Sequence, residues 1–318
     1  MLVKEFIFDN DVPFLQCHAS TVLPLEDGKV LAAWFAGTKE SHPDVKIYCA
    51  IRDNGKWSKP CCVTNDEEIA HWNPVLHQKL DGTIQLYYKI GLKPKCWSTR
   101  VIRSSDNGKA WSKHIDIPAN NKTMSRGPVK NKCIRLSDGT IIAGASSEEN
   151  GNWRAFCDLS YDDGETFTAT KFIRRPLTTK GIVGTIQPTL WESKPDVVHM
   201  LLRTDKGYIY RSDSKDGGKT WCHAYKTALP NNNSGIDLVK TKDGTLYLCF
   251  NPVTDNFGKR TPLRLSFSHD NGKTWQTILD LESENGEFSY PAITERDDML
   301  YITYTHNRTK IAFAMLDI

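Results

Sequence analysis

Short runs of apolar residues alternate with polar turns along the whole chain. Six segments share one pattern, a polar start followed by two short apolar stretches about a turn, and they begin at Cys17, Trp72, Gly127, Gly184, Asn233 and Phe288. Runs of this length, rich in Val, Ile and Leu and flanked by turn residues, are typical of antiparallel strands. No stretch has sustained helical periodicity. The pattern therefore predicts an all-β chain built from six repeated units.

A second motif recurs in the same units. SSDNGKAW at 104–111, SYDDGETF at 160–167, SKDGGKTW at 214–221 and SHDNGKTW at 268–275 all read S-x-D-x-G-x-x-[W/F], and RDNGKW at 52–57 is a shortened copy. The motif is suited to a hairpin turn, with a glycine at positive φ and Asp and Ser side chains that can bond the turn amides.

The spacing of this motif predicts the architecture. Its aspartates lie at positions 53, 106, 162, 216 and 270, so successive copies are 53, 56, 54 and 54 residues apart. Units of this length divide the 318 residues into six. A repeat of this kind predicts a six-bladed β-propeller with four-stranded antiparallel blades.

The two ends of the chain are predicted to share one blade. The last unit has no copy of the turn motif and lacks an outer strand, whereas VKEFIFD near the N-terminus is a strand without a local partner. We expect the N-terminal strand to complete the sixth blade, because that pairing closes the ring and removes free strand edges. Residues 1–318 would then form a single domain.

Composition is that of an ordinary globular protein. Hydrophobic residues make up 39% and charged residues 25%, and the net charge of +3 gives no reason to expect a nucleic-acid partner. The start MLVKEFIFDN has no apolar stretch of signal-peptide length, and no later run approaches a membrane span. We therefore expect a cytoplasmic protein with no membrane partner.

Neither a metal nor a cofactor is predicted. The nine cysteines are scattered without a CxxC pair, which indicates neither a disulfide framework nor a zinc site. The chain also has no Gly-rich phosphate loop, no HExxH and no EF-hand spacing. The sequence leaves the oligomeric state open.

The repeated turn motif is the Asp-box, and with six units the chain resembles the sialidase (neuraminidase) superfamily over essentially its full length. In propellers the innermost strands start around one mouth, so polar residues at those starts are expected to share a pocket. The residues of this kind are His18, Asn73, Lys130, Lys132, Gln187, Asn233 and Tyr290. Lys89, at the end of a second strand, is expected near the same pocket.

The resemblance implies roles for four residues. Sialidases hold a sugar carboxylate with three arginines, attack with a tyrosine that a glutamate activates, and use an aspartate as acid/base. By position, Arg203 and Arg260 resemble the second and third arginines, and Tyr290 resembles the nucleophile. Asp44, in the loop GTKESHPD, resembles the acid/base residue.

Three positions depart from the sialidase pattern. His18 stands where the first arginine is expected, and Thr305 lies near the position of the glutamate that supports that arginine. Gln187, sixteen residues before Arg203, replaces the glutamate that activates the tyrosine. His18 and His71 are alternative proton carriers, because imidazole titrates close to neutral pH.

Three functions remain open on these residues. Two arginines bind a carboxylate by forked hydrogen bonds, so the expected partner is an acidic oligosaccharide or glycoconjugate carrying a sialic acid-like or uronic acid residue. The first function is an exo-acting glycoside hydrolase, in which Tyr290 attacks, Asp44 protonates the leaving oxygen, and Arg203 and Arg260 hold the carboxylate. Neighbouring Lys130, Lys132 or the arginines would activate Tyr290. The second is a polysaccharide lyase or related uronate-processing enzyme, in which His18 or Tyr290 removes the C5 proton. The third is a glycan-binding propeller without catalysis.

Overall fold

The computed structural model describes residues 2–64, 68–118 and 125–318. Within these residues the chain forms β-strands and two short 3-10 helices, Pro94–Cys96 and Glu149–Gly151. The strands in chain order are β1 (Leu2–Phe6), β2 (Gln16–Pro24), β3 (Val30–Gly37), β4 (Lys46–Asp53), β5 (Lys56–Trp57), β6 (Cys61–Cys62), β7 (His71–Gln78), β8 (Ile84–Ile90), β9 (Ser98–Ser104), β10 (Ile115–Ile117), β11 (Ile134–Arg135), β12 (Ile141–Ser147), β13 (Arg154–Ser160), β14 (Thr168–Ala169), β15 (Leu177–Thr178), β16 (Gly181–Ile182), β17 (Thr185–Lys194), β18 (Val197–Thr204), β19 (Tyr208–Ser214), β20 (Tyr225–Pro230), β21 (Asp237–Lys240), β22 (Leu246–Phe250), β23 (Leu263–Ser268), β24 (Gln276–Glu282), β25 (Phe288–Arg296), β26 (Met299–His306) and β27 (Lys310–Asp317).

The described strands form six antiparallel sheets of the predicted kind. Five have the orders β10-β9-β8-β7, β11-β12-β13-β14, β17-β18-β19-β20, β21-β22-β23-β24 and β1-β27-β26-β25. In the sheet β2-β3-β4 the outer position is shared by β5 and β6, which both pair with β4. Strands β15 and β16 form a separate hairpin.

The N-terminal strand completes the last sheet, as the sequence predicts. β1 pairs antiparallel with β27, from Leu2 opposite Leu316 to Phe6 opposite Ala312. The sheet β25-β26-β27 thereby gains its fourth strand from the other end of the chain.

The Asp-box turns have the hydrogen bonds that their composition predicts. In the third full copy, Ser214 Oγ donates to Asp216 Oδ1 at 2.7 Å and accepts from the amide of Gly218 at 2.9 Å. Asp216 Oδ1 also accepts from the amide of Thr220 at 2.9 Å. Gly218 has φ +81°, and a Cβ built there would lie 2.4 Å from Ile142 Cδ1, so glycine is required at this position. The Ser–Asp and Gly–Ser bonds recur in the other three full copies.

The chain divides into two compact units. The first comprises Met1–Ser125 and Tyr290–Ile318, and the second comprises Arg126–Ser289. Buried apolar clusters around Trp34 and Tyr88 stabilise the first unit, and clusters around Met200 and Trp191 stabilise the second. The single-domain organisation stays a prediction. Among the residues that the structure describes, no helix is long and apolar enough to cross a membrane.

Candidate active site

Several inner strands have a residue in the left-handed backbone region within four residues of their start. In the first unit these are Ala19, Asn73 and Tyr290, with φ of 53°, 41° and 53°, and in the second unit they are Gln187 and Asn233, with φ of 52° and 60°. The strand pairings of β2, β7 and β17 are irregular at these residues, as in a β-bulge. Bulges re-aim side chains beside active sites, and positive φ costs free energy for residues other than glycine. This feature marks the inner-strand starts of each unit as candidate functional positions.

In the first unit, His18 and Tyr290 are in direct contact. Their ring centroids lie 4.1 Å apart with a tilt of 48°. The imidazole is buried at 2% exposure, and its Nδ1 lies 2.8 Å from Thr305 Oγ1. Thr305 Oγ1 also accepts from the amide of Ala19 at 3.2 Å, and Phe35 packs edge-on against the imidazole. The two positions that depart together from the sialidase pattern, 18 and 305, are therefore hydrogen-bonded to each other.

His71 and Lys89 lie on neighbouring strands β7 and β8 of the same unit. His71 Nδ1 lies 2.7 Å from Thr64 Oγ1, and its ring packs on that of Tyr88 with centroids 5.0 Å apart. Lys89 is fully buried and donates to Thr99 Oγ1 at 2.7 Å. Asn73, in the bulge of β7, is 4% exposed. The contacts of His71 and Lys89 hold each side chain in one orientation.

Asp44 lies in the turn between β3 and β4. Its carboxylate accepts from the amide of Thr38 at 3.0 Å and from the Thr38 hydroxyl at 2.6 Å, and lies 2.8 Å from His42 Nδ1. Partial burial raises the pKa of Asp44, but the bonds from Thr38 and His42 outweigh it and leave the pKa below its ordinary value. An acid with a lowered pKa is mostly ionised at neutral pH, so protonation of a leaving group by Asp44 requires a bound ligand to raise its pKa.

In the second unit, Arg203 is held by two of the other predicted residues. Its Nε donates to Asn233 Oδ1 at 2.9 Å and its Nη1 donates to Gln187 Oε1 at 3.0 Å. The guanidinium also lies over the ring of Trp153, 5.7 Å from the centroid, and Arg203 is 5% exposed. Gln187, which replaces the expected glutamate, therefore serves here as a hydrogen-bond acceptor that orients the arginine.

Lys130 and Lys132 contact residues at the start of β21 in the second unit. Lys130 Nζ donates to the carbonyl of Ile236 at 3.1 Å, and Lys132 Nζ lies 2.9 Å from Asp237 Oδ2. Burial lowers the pKa of Lys130 to about 7, with Asp237 opposing this shift and the charges of Lys132 and Arg203 adding to it. Lys130 thus titrates near neutral pH beside Arg203.

Arg260 makes an ion pair just ahead of the strand that carries Tyr290. Its Nη1 lies 2.7 Å from Glu287 Oε1 and donates to Ser289 Oγ at 3.3 Å. The neighbouring peptide is fixed as well, because Asn232 Nδ2 donates to the carbonyl of Lys259 at 2.7 Å. Two consecutive residues therefore contact the surroundings of both arginines: Asn232 binds the peptide before Arg260, and Asn233 binds Arg203 itself.

The structure brings the predicted residues together in small sets within each unit. The set of the first unit joins His18 with Tyr290, and the sets of the second join Gln187, Arg203 and Asn233, and Lys130 with Lys132 through the segment 236–237. The sequence did not identify Asp237 or Glu287 as partners of the predicted cations. Asp237 lies 105 residues from Lys132, so no local pattern links them, whereas Glu287 could have been noted as an acidic residue beside the last inner strand.

The sheets, the Asp-box turns and the polar inner-strand starts define a class of protein, the sialidase-type β-propeller. Over 99% of the chain the fold matches the solved structure of the Hadza microbial sialidase Hz136, with a TM-score of 0.81, 17% sequence identity and 68% of that chain covered. The predicted fold, an all-β six-bladed propeller of four-stranded antiparallel blades, is confirmed.

Sequence comparison identifies the family. The profile of the BNR repeat-like domain matches residues 28–302, and the chain belongs to that family. It is also similar to two clostridial sialidases. The sialidase of Paraclostridium sordellii is 30% identical over 139 residues, which cover 39% of this chain and 32% of the relative, and that of Clostridium perfringens is 28% identical over 209 residues, which cover 57% and 53%. The matches thus span about half or less of each relative, and the resemblance to the sialidase superfamily is confirmed.

Proposed function

We propose that the protein is an exo-acting glycoside hydrolase that releases a terminal acidic sugar, of the sialic acid or uronic acid type, from an oligosaccharide or glycoconjugate. The main support is the hydrogen-bond network of Gln187, Arg203 and Asn233, which fixes the buried guanidinium of Arg203 beside the start of an inner strand. A guanidinium is the side chain best suited to bind a carboxylate through two parallel hydrogen bonds. Membership of a family whose relatives include sialidases supports the same substrate class.

In this proposal Arg203 and Arg260 bind the sugar carboxylate. Asn233 holds Arg203, and Glu287 holds Arg260. These contacts set the direction of each guanidinium before the ligand arrives. A preset guanidinium loses little side-chain entropy on binding, and its positive charge favours the acidic sugar over a neutral one. Lys130, next to Arg203, adds positive charge when it is protonated.

Tyr290 attacks the anomeric carbon, and His18 accepts the proton of the tyrosine hydroxyl. The contact of the two rings in the first unit supports this pairing, because Gln187 cannot accept a proton as the missing glutamate would. Thr305 holds the imidazole through Nδ1. As the bond from Tyr290 to the anomeric carbon forms, Asp44 protonates the leaving oxygen and the glycosidic bond breaks. Water, which gives a proton to the Asp44 carboxylate, then cleaves the glycosyl-tyrosine bond, and Tyr290 regains its proton from His18.

The same contact favours a second candidate function, the uronate lyase. A buried histidine against a tyrosine is a base and acid pair that removes a proton next to a carboxylate and protonates the leaving sugar, without a glutamate. The hydrolase ranks first because it agrees with the family of the chain.

Product analysis separates these functions. The full chain is incubated with sialyl-oligosaccharides and with uronyl-oligosaccharides, and products are followed by mass spectrometry and by the ultraviolet absorbance of an unsaturated uronate. Release of an intact acidic sugar, one water heavier than the bound residue, is the expected result. A new absorbance with no added water would establish the lyase instead. Binding of these glycans without any product would contradict both enzymes and establish a glycan-binding propeller.

A further inference from the structure

A second set of reactive side chains lies in the second unit, in three neighbouring strands. Ser193 is in β17, His199 in β18 and Asp213 in β19. In the strand register His199 is opposite Asp213, and the β17–β18 pairing shifts between Glu192 and Lys194, which leaves Ser193 as the extra residue of a bulge. A bulge redirects the side chain of its extra residue. Ser193 is therefore turned out of the regular ladder and lies beside His199.

These three residues are hydrogen-bonded in series. Ser193 Oγ lies 2.8 Å from His199 Nε2, and His199 Nδ1 lies 2.5 Å from Asp213 Oδ1. These are the distances required of a nucleophile, its base and the group that orients the base. In the tautomer with Nδ1–H donating to Asp213, the Nε2 lone pair can accept the serine proton, while the carbonyl of Val197, 3.4 Å from Ser193 Oγ, is a second acceptor for that hydroxyl.

The surroundings hold the histidine rigidly. Its ring stacks on Trp191, with centroids 4.9 Å apart and 28° between the planes. Asp213 also accepts from Tyr225 Oη at 2.7 Å and from Arg211 Nε at 2.9 Å. Partial burial raises the pKa of Asp213, but the bonds from His199, Tyr225 and Arg211 hold it well below the ordinary value, so the carboxylate is ionised at neutral pH.

Ser193 opens onto a cavity of about 460 Å³ within the second unit. Its lining is mostly polar and includes Lys194, Lys240, Asp243 and Asn271. Asn271 Nδ2 lies 3.2 Å from His199 Nε2 and Asn271 Oδ1 accepts from Trp191 Nε1 at 2.7 Å, so this amide shares the Nε2 side of the imidazole with the serine and helps to orient the ring. A polar cavity of this size suits a short acyl group on a polar alcohol rather than a long acyl chain.

This cavity is separate from the inner-strand starts. Gln187 and Ser193 lie on the same strand β17, six positions apart in the sequence, which corresponds to about 20 Å of extended chain. A ligand in the cavity and an acidic sugar on Arg203 therefore bind at different ends of the strand.

We propose that Ser193, His199 and Asp213 form a second catalytic site, which hydrolyses short-chain acyl esters such as acetyl esters of polar alcohols. Ser193 Oγ attacks the ester carbonyl carbon, and its proton moves to His199 Nε2. The same proton passes to the alkoxide oxygen as the carbon–oxygen bond to the alcohol breaks. Water then attacks the acyl-serine through His199, the bond to Oγ breaks, and the carboxylic acid leaves while Oγ regains its proton.

Arg211 limits the rate of this site. Its Nη2 lies 3.0 Å from His199 Nδ1, and because the positively charged guanidinium can only donate, this contact competes with the bond from Nδ1–H to Asp213 that the mechanism needs. Asp213 compensates for that charge, because it contacts both side chains. We therefore expect a slow esterase, with a rate well below that of dedicated serine hydrolases.

The test uses the full chain with two probes, a fluorophosphonate that labels activated serines and p-nitrophenyl acetate. The expected result is one adduct, located on Ser193 by peptide mass spectrometry, and ester hydrolysis above the buffer rate. Ser193→Ala should reduce hydrolysis to the buffer rate, and His199→Gln should reduce it about 10²–10⁴-fold. Ser137→Ala is the matched control, because the Ser137 hydroxyl in the same unit binds Glu192 rather than a histidine.

Each outcome decides the proposal. Labelling at Ser193 that is lost in Ser193→Ala and retained in Ser137→Ala supports it. The adduct on the wild-type protein can be located whether or not the variants fold. Absence of any adduct, an adduct at another serine, or hydrolysis unchanged in Ser193→Ala overturns it. The release of acidic sugars should be the same in wild type and Ser193→Ala, so failure of the esterase leaves the proposed glycosidase untouched.

Discussion

The imidazole of His18 lies against the phenol ring of Tyr290, with centroids 4.1 Å apart, and Thr305 holds its Nδ1. A sialidase pattern places an arginine at position 18 and a glutamate near 305. Here the smaller side chains of His18 and Thr305 occupy these positions, and the histidine contacts Tyr290, the predicted nucleophile. The rebuilt pair removes one positive charge at this position when the imidazole is neutral, and introduces a group that can transfer protons.

Tyr290→Phe should abolish turnover of the acidic glycan and leave the fold intact, because the ring and its packing remain while the hydroxyl is lost. The measurement is kcat on the glycan that the wild-type protein cleaves, together with a thermal melt. Tyr301→Phe, a tyrosine of the same unit in β26, is the control and should keep full activity. A Tyr290→Phe protein with wild-type kcat would remove this residue from the mechanism.

His18→Gln should lower kcat about 10²–10⁴-fold, because glutamine can bond Thr305 but cannot take the tyrosine proton. It should also remove the limb of the pH–rate profile that reports the imidazole, with KM changed much less than kcat. If kcat fell and the pH profile kept its shape, His18 would be acting only on the position of Tyr290.

Arg203→Lys should weaken binding of the acidic sugar about 10–100-fold, since an ammonium cannot reproduce two parallel bonds to a carboxylate. Titration calorimetry with the acidic ligand and with its neutral reduced analogue measures the effect. The neutral analogue should be affected little, and Arg135→Lys, which changes an arginine paired with Asp163, is the matched control. Equal affinity in wild type and Arg203→Lys would contradict the carboxylate role.

Lys130→Met should alter how the unfolding free energy depends on pH. Burial lowers the pKa of Lys130 to about 7, against an ordinary value of 10.5. Between these values the unfolded chain binds a proton that the folded chain lacks, so this group makes wild-type stability rise with pH by about 1.4 kcal/mol per pH unit. The variant should lose that rise and be stabilised relative to wild type below pH 7, where the folded protein carries the buried charge.

Urea unfolding of wild type and Lys130→Met across this pH range checks the Lys130 prediction. Lys242→Met, which changes an exposed lysine on the same unit, is the control and should follow the wild-type slope. Identical slopes in wild type and Lys130→Met would show that Lys130 titrates as an ordinary lysine.

Ser214→Ala should destabilise the second unit by about 1–3 kcal/mol, because it leaves the buried amide of Gly218 without the hydroxyl that accepts its hydrogen bond. Thermal and urea unfolding measure the loss. Lys215→Ala, at the exposed neighbouring position of the same Asp-box, should change stability far less. A Ser214→Ala protein as stable as wild type would show that the Asp-box bonds contribute little.

The repeated turns made the fold predictable because each Asp-box is a local structure. Ser214, Asp216 and Gly218 lie within five residues, so their bonds and the positive φ of the glycine follow from local sequence alone. The pairing of β1 with β27 was also predictable, since a strand without a partner and a sheet lacking a strand complete each other.

The candidate site was only partly predictable. The contact between His18 and Thr305 agrees with two departures that the sequence displayed, although 287 positions separate them. In contrast, nothing near Lys132 indicated Asp237, and the partner of Arg260 was not identified before the structure placed Glu287 against it. The series Ser193, His199 and Asp213 depends on one bulge, and no sequence motif indicates a bulge at that position.

The sequence by itself determined the number of repeats, the strand and turn pattern and the completion of the last sheet, because these rest on periodicity and on bonds between near neighbours. Only the tertiary structure decided which side chains meet, which lysine loses its charge near neutral pH and which serine contacts a histidine. Those properties depend on strand register and burial, and a shift of one residue in register changes the face on which every side chain of a strand lies.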